Sequence, residues 1–98
     1  MIKLLRITRS DKPEKKMMAV FEKDGRESTT HFGDSSMKDY TTHPASIRES
    51  RKAAYLSRHR ANEDWNDPTS AGALSRWVLW NKPTISASIA DYKQRFNL

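Results

Sequence analysis

The chain has 98 residues, enough for one domain with a small core. It carries 18 Lys and Arg against 12 Asp and Glu, a net charge of +6, which points to an anionic partner. It has no Cys, which excludes disulfides, thiolate metal sites and cysteine nucleophiles. In chain order, Ile2 to Thr8 reads as a strand, apolar and β-branched, and Ser10-Asp11-Lys12-Pro13 as a turn. Lys16 to Glu22 is a second strand and Arg26 to Phe32 a third, joined through Asp24-Gly25. A two-residue loop there would set Glu22 opposite Glu27, so a three-residue loop, Lys23-Asp24-Gly25, is expected, with Glu22 opposite Arg26. Gly33 to Ser36 is a loop, and Tyr40-Thr41-Thr42 an edge strand or extended link.

From residue 45 onward the pattern turns helical. Ser46-Ile47-Arg48-Glu49 matches a capping box, predicting a helix over 47–61. Asp67-Pro68 is a second helix start, with the helix running to Trp80 and stopping before Pro83. A third helix begins near Thr84 or Ser86, where Ile85, Ile89, Tyr92 and Phe96 form one apolar stripe. The expected architecture is a single α+β domain over 1–98: a small antiparallel sheet, made of a β-hairpin plus the N-terminal strand, within a β-rich part at 1–44, and three short helices at 45–98.

The excess charge is uneven. Residues 45–62 hold five Lys and Arg against a single Glu, two thirds of the net charge. On a helical wheel, at ~100° per residue, Arg48, Arg51, Lys52, Tyr55, Arg58 and His59 fall on one arc of about 120°. Ile47, Ser50, Ala53, Ala54, Ser57 and Ala61 fall opposite. The expectation is that the small residues pack inward and the cationic arc faces solvent, where it would hold phosphates, with Tyr55 available for stacking. That face offers arginines but no side-chain code for base edges, so binding to nucleic acid is expected to be non-specific.

Other chemistry is weakly supported. His31, His43 and His59 lack metal-ligand spacing, and nothing like H-E-x-x-H occurs, so no metal site, cofactor or catalytic residue is expected. Glu63-Asp64-Trp65-Asn66-Asp67 reads as structural, with Asp67 a helix cap and Trp65 filling the core between the first two helices. A small enzyme would need a concave pocket holding His31 or His59 with two carboxylates. Gly72 suits a place where another backbone approaches closely. Trp77 is expected in the core, and Trp80 and Phe96 at a protein interface. The alternative function is therefore a structural or assembly protein, docking on other proteins through its Trp-rich C-terminal helices.

No apolar run approaches the ~20 residues of a membrane helix, and the stretch Met1 to Ile7 is too short and too charged for a signal-peptide core. No membrane partner or secretion is expected.

The runs "HFG", "DYTTH" and "YLSRHRANEDWNDPTSAGALSRWVLWNKPTISASIADYKQRFNL" are similar to an uncharacterised small-protein family of large DNA viruses of algae and protists, and of some algae. The resemblance spans residues 16–98. Its most specific strings are R-H-x-x-N-E-x-W-x-D-P, A-G-x-L-S-R-W-x-L-W and the closing D-Y-K-x-R-F. It implies a viral gene product or a cellular relative of one, located inside the host cell or in the virion, where the alternative function would be that of a minor virion component docking on viral structural proteins, and it brings no activity or site residue.

Overall fold

Three β-prone segments joined by short turns build a meander. The structure, a computed structural model, describes residues 1–98. Strands β1 (Ile2–Arg9), β2 (Lys15–Lys23) and β3 (Arg26–Asp34) form one antiparallel sheet in the order β1-β2-β3. Leu4 pairs with Phe21 and Ile7 with Ala19, with a register shift between Leu4 and Arg6. That bulge lets Leu4 and Ile7 share the core face although they are three residues apart. Leu5 is left 41% exposed.

The hairpin differs from expectation. Glu22 does pair with Glu27, and Lys23 with Arg26, across a two-residue turn. Asp24 (φ 53°) and Gly25 (φ 80°) are both left-handed, the geometry whose twist matches that of the flanking strands. A like-charged cross-strand pair costs up to about 1 kcal/mol. Lys3 lies opposite Glu22 on its other side and offsets that repulsion.

The helices are α1 (Arg48–His59), α2 (Ala71–Leu74), which runs into a π-helical turn at Ser75–Leu79, and α3 (Ile85–Phe96). The expected capping box does not form. Ile47 occupies the cap position without a side-chain bond, and Glu49 instead accepts from the Tyr40 hydroxyl. Asp67 caps the turn at Thr69 rather than a helix, and Ser70 caps α2, its Oγ accepting from Ala73 N at 3.0 Å. The second helical segment therefore starts later than predicted. α3 follows its predicted stripe: Thr84 caps its first turn and Tyr92 is fully buried.

The core lies between one sheet face and the helices. Ala19, Phe21 and Phe32 meet Leu74, Val78, Leu79, Trp80 and Tyr92. Val78, Leu79 and Trp80 are consecutive and all buried. A regular α-helix would turn at least one of the three outward. The wider π turn, closed by Trp80 N donating to Ser75 O at 3.0 Å, keeps them together. Trp80 is therefore core, 9% exposed, while Trp77 is only half-buried, reversing the expected roles. Trp77 lies between two guanidinium groups, with Arg76 4.1 Å and Arg95 3.7 Å from its ring centre. Phe96 is half-buried against the edge of Tyr92, 5.4 Å between ring centres.

Candidate nucleic-acid interface

α1 has few large apolar residues, and its attachment decides which charges reach solvent. The helix is turned the opposite way from the wheel expectation. Tyr55 is buried, and Arg48, Lys52 and His59 are half-buried. Ser50, Ala53, Ala54, Ser57 and Ala61 are exposed. The reason is the size of the groups. Alanine and serine bury little apolar area, whereas a tyrosine ring buries a great deal and gains further by stacking. Tyr55 stacks on Trp80 at 4.7 Å, and His59 stacks on Tyr55 at 4.5 Å. Burial pushes the Tyr55 hydroxyl up to about 12.

Tyr40 is the second anchor. Arg48 and Lys52 lie over its ring at 5.4 and 5.0 Å, and Lys52 Nζ donates to Asn81 O at 3.2 Å. Burial and the charge of Arg76 hold the Lys52 ammonium below its usual range. Arg48 and Lys52 are thus committed to holding the helix. Of the six residues expected on the interface, Arg51 and Arg58 are the exposed cations. Neither forms an ion pair within 4.0 Å.

The residues 39–43 form a tight turn, not an edge strand. Asp39 Oδ1 accepts from Thr41 N at 2.8 Å, and Tyr40 N donates to Leu79 O at 3.0 Å. Lys16 Nζ donates to Asp39 Oδ2 at 2.6 Å, tying this turn to β2. His43 follows, its ring 5.9 Å from that of Trp80. Burial, then the charges of Arg51 and Lys38, hold its imidazole below the usual range.

Two adjoining cavities result. One, of about 380 Å³, lies between β3, the turn and α1, with Tyr55, Trp80, Phe32 and Leu79 among its walls. Lys15, Lys16, Lys38 and Arg58 also line it. The other, of about 400 Å³, lies at the β1–β2 turn and is lined by Arg9, Lys12, Lys15, Lys16, Ser10, Pro13 and Ser35, with no acidic residue. Lys15 and Lys16 line both. Sequence reasoning missed Arg9, Lys12, Lys15, Lys16 and Lys38. Asp11, Glu14 and Asp34 interleave with them along the chain and mask the local excess.

The first cavity also holds His59 with Glu63, Asp39 and Asp34. Asp39 is engaged by Lys16 and Thr41, and Asp34 accepts from Ser36 N and Oγ. Glu63 faces His59, 3.4 Å from its Nδ1. Its carboxylate lies over Gly72, where a Cβ would overlap it. The close approach at Gly72 is thus by a side chain, not by a backbone. Trp65 is half-buried against the core, its carbonyl accepting from Trp77 Nε1 at 2.9 Å.

The sheet and α1 together coincide with a matched family profile, which covers residues 5–59. The chain belongs to a family of unknown function (DUF5754). The DUF5754 stretch contains both anchors of α1, Tyr40 and Tyr55, and every cation lining the two cavities. It includes most of β1, which the resemblance above had left out, and most of the specific C-terminal strings lie beyond it. No curated protein and no solved structure matches the chain. No helix is long and apolar enough to cross a membrane.

Proposed function

We propose that this protein is a non-enzymatic domain that binds nucleic acid across the face running from the β1–β2 turn to α1. The observation that carries the reading is the cleft lined by Arg9, Lys12, Lys15 and Lys16 with no acidic residue in its lining, where only Lys16 is ion-paired, to Asp39, and beside which Lys38 and Arg58 line the adjoining cavity. Cations gathered at a hairpin end can follow a phosphate backbone without reading base edges. Arg51 and Arg58 extend the face along α1. Arg48, Lys52 and Tyr55 serve it indirectly, by holding the helix in place. Weak sequence dependence fits the context that the resemblance implies, a basic viral protein packaged with a genome.

Fluorescence anisotropy against a labelled oligonucleotide at several salt concentrations tests this. Four phosphate contacts give a slope of log K on log salt of about −3. Lys12→Glu/Lys15→Glu weakens binding more than tenfold and flattens that slope. A variant that binds like the wild type, or a wild type that does not bind at low salt, removes the proposal.

A second reading is favoured by the His59–Glu63 pair in the aromatic-walled cavity, since a carboxylate-oriented imidazole in a concave site is the arrangement of a general base. It makes the protein a small hydrolase of bound nucleic acid. Incubation with end-labelled strands tests it. Cleavage that His59→Ala abolishes supports this reading, and intact strands remove it. Docking on other proteins through Trp80 finds no exposed ring to use.

A further inference from the structure

We infer that the aromatic-walled cavity between β3, the 39–43 turn and α1 receives an unpaired nucleobase, so that the protein takes single-stranded nucleic acid in preference to duplex. The inference rests on the nucleic-acid reading above and names the class of strand that the same face accepts. The cavity, at about 380 Å³, has the size of a small-molecule site, ~300–1,000 Å³. It adjoins the cationic cleft, and the two share Lys15 and Lys16. A phosphate held in the cleft would leave its own base within reach of the cavity.

The chemistry of the walls suits a planar heterocycle. Three rings already form a stack: Trp80 on Tyr55 at 4.7 Å with 9° between planes, and Tyr55 on His59 at 4.5 Å. The stack ends at His59, whose side chain is 41% exposed and lines the cavity. A base entering there meets an aromatic edge or face whatever its identity, which makes stacking tolerant of sequence. The Glu63 carboxylate beside the imidazole offers an acceptor for an exocyclic amino group. The mouth is bordered by Met37, an adaptable side chain that is 60% exposed. A base paired in a duplex cannot enter this site without first leaving its helix, whereas a single strand presents its bases unpaired.

The test compares anisotropy titrations of a short mixed-sequence single strand, the duplex of the same sequence, and a single strand of abasic residues. The expected result is a preference of about tenfold or more for the natural single strand over both of the others. Ala71 is an exposed residue on the cavity wall. Ala71→Phe narrows the cavity and brings the ratio of single-strand to duplex affinity close to one. Equal affinities for all three ligands in the wild type overturn this inference and leave backbone binding standing. Absence of binding to any of them overturns both. Should Ala71→Phe fail to fold, the abasic strand alone decides: binding as tight as that of the natural strand shows that no base is held.

Discussion

The rings of Tyr55 and Trp80 lie 4.7 Å apart and nearly parallel, with 9° between their planes. This contact joins α1 to the π turn and sets which face of α1 meets solvent. Truncating Tyr55 removes a buried aromatic ring and leaves a void against Trp80. Tyr55→Ala is expected to cost about 3–5 kcal/mol in urea unfolding. Arg51→Ala, at an exposed position of the same helix, should change stability by less than ~0.5 kcal/mol. A helix turned the other way, with its alanines inward, would give Tyr55→Ala the small effect and Ala54→Gln the large one.

Lys16 and Asp39 form an ion pair whose side chains are 19% and 4% exposed. Asp39 also holds the turn that presents Tyr40 to α1. Asp39→Ala leaves the ammonium without its partner and frees the turn, a loss of about 3 kcal/mol. Lowered thermal stability should come with greater amide exchange at Tyr40 and Thr41. Unchanged stability would show that the turn holds without its carboxylate.

Glu63 and Gly72 should be coupled. Replacing a helical glycine by alanine ordinarily gains about 1 kcal/mol. At Gly72 the added methyl group displaces the Glu63 carboxylate from His59, so Gly72→Ala should gain much less in the wild type. In a Glu63→Ala background the full gain should return. A double-mutant cycle measures the difference, and simple additivity would show that the carboxylate yields freely.

Stability should also depend on pH through His43. Its folded-state pKa is depressed, by burial first and then by Arg51 and Lys38. The unfolded chain therefore binds the proton more readily than the folded one. The stability that this group permits is complete above its unfolded value of ~6.5 and is lost as pH falls below it. Urea unfolding at a series of pH values should show a decline on the acid side that is shallower in His43→Gln. Equal slopes in the two proteins would assign the decline to other groups.

The sequence carries the strands and α3 clearly, because their signals are local. The apolar, β-branched stretch of β1, the apolar run of β2 from Met17 to Phe21, the Asp24-Gly25 turn and the stripe from Ile85 to Phe96 all survive folding. The hairpin register shows how local rules rank: left-handed turn geometry at Asp24 and Gly25 outweighs the repulsion between Glu22 and Glu27. The orientation of α1 was not legible. An arc of alanines and serines resembles a packing face, and only the distant Trp80 reveals that Tyr55 is the residue to bury. The π turn that places Trp80 there has no marker in the chain. The cationic cleft was hidden for a related reason: Arg9, Lys12 and Lys15 are brought together by strand pairing, while acidic neighbours balance them along the sequence.

The most direct test of the account is a map of amide shift changes as an isotope-labelled sample is titrated with a short oligonucleotide. Changes are expected to concentrate at residues 9–16 and 34–38, with further changes at Arg51, Arg58 and His59. Changes centred instead on Ala53, Ala54 and Ser57, or on Trp77 and Arg95, would contradict it.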